Sequence, residues 1–184
     1  MILRLENIPE QGLDLRYEEG KEWFDEHLKE VAGSDYVYRA AILIHLLAHR
    51  SVEKEIFLTG SITTEIEMLC SRCLERFCVP VVSEVHYAYL PESEKKLDAE
   101  WDPKDLEGPD MGYYNGESVE LSPLVAEQLL LDIPRFPICR EDCRGLCPQC
   151  GTNLNEKACH CALSAPTPVE GPFSTLKGFK PKKG

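Results

Sequence analysis

Six of the chain's nine cysteines (Cys139, Cys143, Cys147, Cys150, Cys159 and Cys161) crowd into one C-terminal stretch, and Cys70 and Cys73 form a further close pair. A two-residue gap across a tight turn lets both thiolates of a pair face one ion, and thiolate is a ligand that zinc accepts readily. The strongest unit is Cys147-Pro148-Gln149-Cys150-Gly151, whose glycine lets backbone amides approach a sulfur with no Cβ in the way. Free exposed thiols in such number would invite oxidation. Cys78, between Phe77 and Val79, reads as a buried apolar filler. The other eight suffice for two closed four-thiolate zinc sites.

How the eight divide is read from spacing. Cys159 and Cys161 lie a short loop beyond Cys147 and Cys150 and would close a compact ribbon with them. Cys139 and Cys143 would then reach back to Cys70 and Cys73, tying distant parts of the chain together. His160 could replace a neighbouring thiolate, but the expectation is that it points outward. A four-thiolate site has no open coordination position and is a poor Lewis acid, so both sites read as structural. Each would carry a net charge of −2, taking the formal −12 of the chain to about −16. A thioredoxin-like role for Cys70 and Cys73 is the competing reading; that chemistry places its pair at a helix N-terminus, whereas both flanks here look like strand.

The elements that must position these thiols follow from periodicity. Residues 1–6 alternate apolar and charged, as a short strand would. Trp23, Phe24, Leu28 and Val31 fall at helical spacing within Lys21 to Val31, and Gly33-Ser34 ends that helix. The stretch Tyr36 to Leu69 is rich in strand-forming residues and divides near Arg50-Ser51 and again around Gly60. Ile62, Thr64, Ile66 and Met68 share one face, with Thr63, Glu65 and Glu67 on the other. A partner strand runs from Phe77 to Leu90, so Cys70 and Cys73 sit at a hairpin turn. From Pro91 to Glu117 the chain turns acidic and proline-containing and reads as a loop. Ser118 to Leu121 adds a last strand, and Ser122-Pro123 opens a helix with Leu124, Val125, Leu129 and Leu130 on its apolar face. Pro134 and Pro137 stop it. The fold class is therefore α+β: an antiparallel sheet or open barrel with flanking helices and a C-terminal zinc-ribbon-like segment. Residues 1–137 form the core domain, with an acidic loop near 91–117, and 138–184 form a cysteine-rich segment with a basic tail.

Composition limits the rest. At 43% hydrophobic the chain can build a core, and its longest apolar run, Ala40 to Ala48, is about half a membrane span. The start MILRLENIPEQG has no apolar signal region, which predicts a cytoplasmic, reducing location and metal rather than disulfides. A net charge of −12 suits a basic protein partner, with any RNA contact confined to a local patch such as Lys177, Lys180, Lys182 and Lys183. His45 and His49 would match a metal spacing only on a helix; on a strand they share a face with Leu43 and Leu47. No phosphate-binding glycine loop, nucleophile elbow or HExxH motif occurs.

Taken in order, several strings resemble one family. Cys70-Ser71-Arg72-Cys73-Leu74 is followed by a strand, then by a helix around Glu127, Gln128 and Leu129 and the exit Pro137-Ile138-Cys139. Next come Cys143-Arg144-Gly145-Leu146-Cys147-Pro148-Gln149-Cys150-Gly151, the pair Asn153 and Asn155, Cys159-His160-Cys161, and Pro172-Phe173-Ser174-Thr175-Leu176. From about residue 35 to 180 the chain resembles the YceD family, the large ribosomal RNA subunit accumulation proteins. The resemblance implies a non-enzymatic cytoplasmic accessory factor needed for large-subunit ribosomal RNA, acting on a ribosomal protein or on RNA. It also implies that the Cys70/Cys73 and Cys139/Cys143 pairs are the widely shared half, with CPxCG and CxC added in some branches. A thiol redox or zinc-reservoir protein, and a regulatory subunit of an RNA-processing enzyme, are the alternatives.

Overall fold

The computed structural model describes residues 1–28, 36–94 and 110–161. Eight strands and two α-helices occur among them: β1 (Ile2–Arg4), β2 (Leu13–Glu19), α1 (Lys21–His27), β3 (Val37–Tyr38), β4 (Ile42–Arg50), β5 (Ile56–Leu69), β6 (Arg76–Pro91), β7 (Asp110–Tyr114), β8 (Ser118–Glu120) and α2 (Ser122–Asp132). The main sheet runs β2-β4-β5-β6-β7, with β3 pairing the far end of β5, and β1 pairs β8 in a small second sheet. All main-sheet neighbours are antiparallel except β7, which runs parallel to β6. The class is α+β, with an open mixed sheet rather than a purely antiparallel one.

Strict alternation decides which face is covered. Ile42, Ile44, Leu46 and Ala48 of β4, with Ile56, Leu58, Ile62 and Ile66 of β5 and Val81 and Val85 of β6, are buried. Leu43, Leu47 and Val82, one residue out of phase, face outward. Across the buried face lies α2, which starts with a proline in its first turn, where the missing N–H costs no helical bond. Its Leu124, Val125 and Leu129 enter the core, each worth about 2 kcal/mol of apolar burial. Ser83 Oγ donates to the Gln128 carbonyl at 3.3 Å, which satisfies a hydroxyl buried beneath the helix. From α1, Trp23 and Phe24 join the same core.

Four expectations change. β5 runs through Gly60 without dividing: the glycine holds φ at +154°, and a Cβ there would lie 2.0 Å from the His45 carbonyl oxygen on β4. Gly60 is thus a place where two strands come too close for a side chain, not a break. β2 was not anticipated, although Leu13, Leu15 and Tyr17 turn to the core in alternation with Asp14, Arg16 and Glu18. β7 forms inside the stretch read as a loop. Cys78 is exposed on the outer face of β6, not a core filler. The proposed end of α1 at Gly33-Ser34, the centre of the acidic loop and the lysine tail lie outside the described residues.

Candidate metal centres

β5 and β6 are joined by a tight turn that carries Cys70 and Cys73. The Cys70 amide donates to the Glu75 carbonyl and the Leu74 amide to the Cys70 carbonyl, both at 2.9 Å. Leu74 closes this knuckle in the left-handed region, φ +61°, with its side chain 59% exposed. Proline ends α2, and the extended segment after it is drawn to the knuckle by a bond from the Ser71 amide to the Pro137 carbonyl at 2.8 Å. Cys139 follows two residues later. The result is a group of four, Cys70, Cys73, Cys139 and Cys143, whose sulfurs all lie within 4.8 Å of one another. Cys73 and Cys139 approach to 3.7 Å, and Cys70 and Cys143 to 3.9 Å. A tetrahedron with metal–sulfur bonds of about 2.3 Å has edges of about 3.8 Å, so these thiols fit a single ion.

The surroundings already favour thiolate at two of the four. Burial pushes the Cys70 thiol up, but amide donors from Cys139, Cys73 and Arg72 outweigh it and bring it down to about 6. Cys143 is lowered likewise: burial opposes ionisation, while the Asn155 side chain and the Gly145 amide favour it. Burial and the neighbouring sulfurs push Cys139 up to about 12. Cys73 also rises, its Glu75 amide donor outweighed by burial and the adjacent thiols. Four thiolates without a cation repel one another, so two of the thiols are shifted up while two are brought down. A cation at the centre would remove that repulsion.

Cys147, Cys150, Cys159 and Cys161 make the second group. Here the Cys147 amide donates to the Thr152 carbonyl at 2.8 Å, and the Gly151 amide to the Cys147 carbonyl at 2.9 Å, which shapes a second knuckle. The Thr152 hydroxyl lies 3.2 Å from Cys150 Sγ. That contact, with the Thr152 amide, brings the Cys150 thiol down to about 6, while Cys150 in turn pushes Cys161 up to about 11. This group is less sheltered: Cys150 is exposed and Cys159 and Cys161 are half-buried, whereas Cys70, Cys73 and Cys143 are buried. His160 is exposed and belongs to neither group.

The two groups interlock. The Leu146 amide donates to the Arg72 carbonyl at 3.0 Å, and the Leu154 amide to the Gly145 carbonyl at 2.9 Å, stacking the first knuckle, the linker and the second loop. Gly145, φ +72°, makes this possible, since a Cβ would lie 2.9 Å from the Arg72 oxygen. Asn155 accepts the Arg144 amide at 2.8 Å through Oδ1 and points Nδ2 at Cys143 Sγ, 3.4 Å away. Asn153 Oδ1 accepts from both the backbone and the side-chain amide of Asn155. Sequence reasoning noted these asparagines only as part of a resemblance; no spacing rule links residue 155 to a sulfur 12 positions earlier. It also missed Glu67, which lies near the first knuckle at 9% exposure between Arg39 and Arg76.

Away from the cysteines, His45 and His49 stand on the outer face of β4, in a strand and not a helix. His45 lies 3.2 Å from Asp14. It lines a shallow depression of about 460 Å³ together with Arg16, Tyr17 and Leu43. Among the described residues no helix is long and apolar enough to cross a membrane.

Comparison with known proteins agrees with the cysteine pattern. A family model described as large ribosomal RNA subunit accumulation protein YceD matches residues 58–180, a span that holds all eight clustered cysteines. An uncharacterized protein of Mycobacterium tuberculosis is 32% identical over 122 residues, which cover 66% of this chain and 56% of that protein. A second uncharacterized protein, from Mycobacterium leprae, is 30% identical over 106 residues, 56% of this chain and 45% of that one. The large ribosomal RNA subunit accumulation protein YCED homolog 1 of Arabidopsis thaliana, a chloroplastic protein, is 24% identical over 150 residues, 68% of this chain and 45% of the homolog. The chain thus spans about half the length of the curated relatives it matches. No solved structure matches it.

Proposed function

The chain belongs to the YceD family, whose description names accumulation of large-subunit ribosomal RNA, and from that premise we propose that it is a zinc-stabilised, non-enzymatic accessory factor of large ribosomal subunit biogenesis. One observation carries the zinc: two groups of four thiols, each with its sulfurs within 4.8 Å, in a family member with nine free cysteines. Cys70, Cys73, Cys139 and Cys143 hold one ion, and Cys147, Cys150, Cys159 and Cys161 the other. Bound there, zinc supplies no reaction, because four thiolates leave it no open position. It supplies cross-links: the first joins the sheet's hairpin to the segment after α2, the second closes the C-terminal loop. Residues 1–137 act as the core domain and 138–184 as the metal-binding appendage. Reduced thiols in these numbers fit a cytoplasmic setting.

The acidic whole engages a basic ribosomal protein, with ribosomal RNA the alternative ligand. Elemental analysis of protein purified without chelator should give two zinc ions per chain; one or none would reject the two-centre assignment. Co-purification with large-subunit components, with and without ribonuclease, tests the partner: loss on treatment points to RNA, retention to protein. The exposure of Cys150 favours a second reading, in which the outer centre trades zinc as a reservoir. Rapid, reversible loss of one of two ions to a mild chelator, with no ribosomal association, would establish that reading instead.

A further inference from the structure

We infer that the two metal centres are coupled, and that Asn155 is the positioning residue that couples them. The inference rests on the two-centre reading above and goes beyond it, since two centres could equally be independent. Asn155 lies in the loop whose ends are Cys150 and Cys159, so closing the second group on a cation pins the loop from both sides. Its amide has no freedom of orientation: Oδ1 is taken by the Arg144 amide, which leaves only Nδ2 for Cys143 and Asn153.

The second loop therefore delivers an N–H donor to a ligand of the first centre. An N–H aimed at a thiolate spreads its charge and fixes the direction of the ligand, and removing such an outer partner typically weakens metal binding 10- to 100-fold. Filling the second group should tighten the first, and thermodynamic reciprocity requires the converse. The backbone route from Arg72 through Leu146 and Gly145 to Leu154 keeps the loop in register. The amides on it that meet first-group sulfurs, Arg72 on Cys70 and Gly145 on Cys143, belong to the hairpin and the linker and not to the second loop. Only Asn155 crosses from one loop to the other group's thiol among the described residues.

The test is a cycle of four full-length reduced proteins: the parent, Asn155→Asp, Cys159→Ser with Cys161→Ser, and the three changes together. Asn155→Asp keeps the size and the acceptor for Arg144 but replaces the donor. Zinc affinity of the first centre is read by competition with a chelator, following the amide resonances of Ser71 and Leu74 at its knuckle. Either change alone should weaken the first centre about tenfold, and the combination should weaken it no further. Cobalt provides a second readout. Losing the donor raises electron density on Cys143, so the sulfur-to-cobalt absorption of the first centre should move to longer wavelength in Asn155→Asp. Unchanged first-centre affinity in both single variants, or losses that simply add, would overturn the coupling while leaving two centres in place. Failure of the parent to bind either ion would overturn the two-centre reading and the coupling with it.

Discussion

Replacing Cys70 with serine should cost the whole sheet, whereas replacing Cys159 should cost mainly its own loop. Cys73 and Cys139, whose sulfurs are 3.7 Å apart in the first group, are 66 residues apart in sequence. A cross-link that closes a loop of that length restricts the unfolded chain by about 4 kcal/mol, by the same reasoning that applies to a disulfide. Opening the first centre with Cys70→Ser forfeits that restriction and leaves two buried thiols, Cys73 and Cys143, and the half-buried Cys139 around an absent ligand. The restriction lost from the second centre belongs to the shorter local loop between Cys150 and Cys159 and falls outside the sheet. What reaches the sheet from there is the coupling through Asn155, and a tenfold weakening of the first centre is about 1.4 kcal/mol. Urea unfolding in buffered zinc, with amide exchange measured along β4, β5 and β6, gives both numbers. The expected loss of sheet protection is about 4 kcal/mol for Cys70→Ser and no more than about 1.4 kcal/mol for Cys159→Ser. Equal losses in the two variants would refute the reasoning, because they would mean the centres do not divide their work by the chain lengths they span.

Three further outcomes follow from single positions. Gly60→Ala places a methyl 2.0 Å from the His45 carbonyl oxygen and should force β4 and β5 apart, a loss of about 3 kcal/mol or more in urea unfolding with unchanged zinc content. Leu74→Gly relieves a left-handed leucine whose side chain is 59% exposed, so it should raise stability by about 1 kcal/mol; a loss of similar size would show that the leucine packs against something essential. Arg39, and after it Arg76, hold the Glu67 carboxyl below its ordinary value of 4.5. Its contribution is therefore complete above that value and disappears as pH falls through the lowered one. Unfolding free energies of the parent and Glu67→Gln should differ at pH 7 and converge as pH falls through that lowered value; a gap that widened in acid would reverse the assignment.

What the sequence made legible, and what it hid, divides by the range of the interaction. Cysteine pairs announce themselves because a turn of two residues is a local device, and alternation along β4 and β6 is local as well. β2 was missed although Leu13, Leu15 and Tyr17 alternate with Asp14, Arg16 and Glu18 as a strand does: it is a short edge strand with one buried side chain, held by the register that β4 offers it from Leu13 to Glu19. Gly60 misled for the complementary reason. A glycine in a strand pattern is locally a break, and only the approach of His45 from the neighbouring strand shows that the absence of a side chain is what keeps the strand continuous.

Asn155 sets the deeper limit on reading the site. An asparagine between Thr152-Asn153-Leu154 and Glu156-Lys157 is an ordinary loop residue by composition, and nothing in its neighbours points to Cys143. Its role arises from the stacking of three segments, each ordinary alone: a hairpin tip offering the Arg72 carbonyl, a glycine able to pass against it, and a loop held at both ends by cysteines. The same stacking explains why a chain carrying both cysteine sets should not behave as a core with a detachable ribbon. A ribbon joined only through the linker 144–146 could be lost without consequence to the hairpin. One that places an amide on a sulfur of the hairpin's own centre makes the state of its metal felt in the sheet, whose register Cys70 and Cys73 terminate.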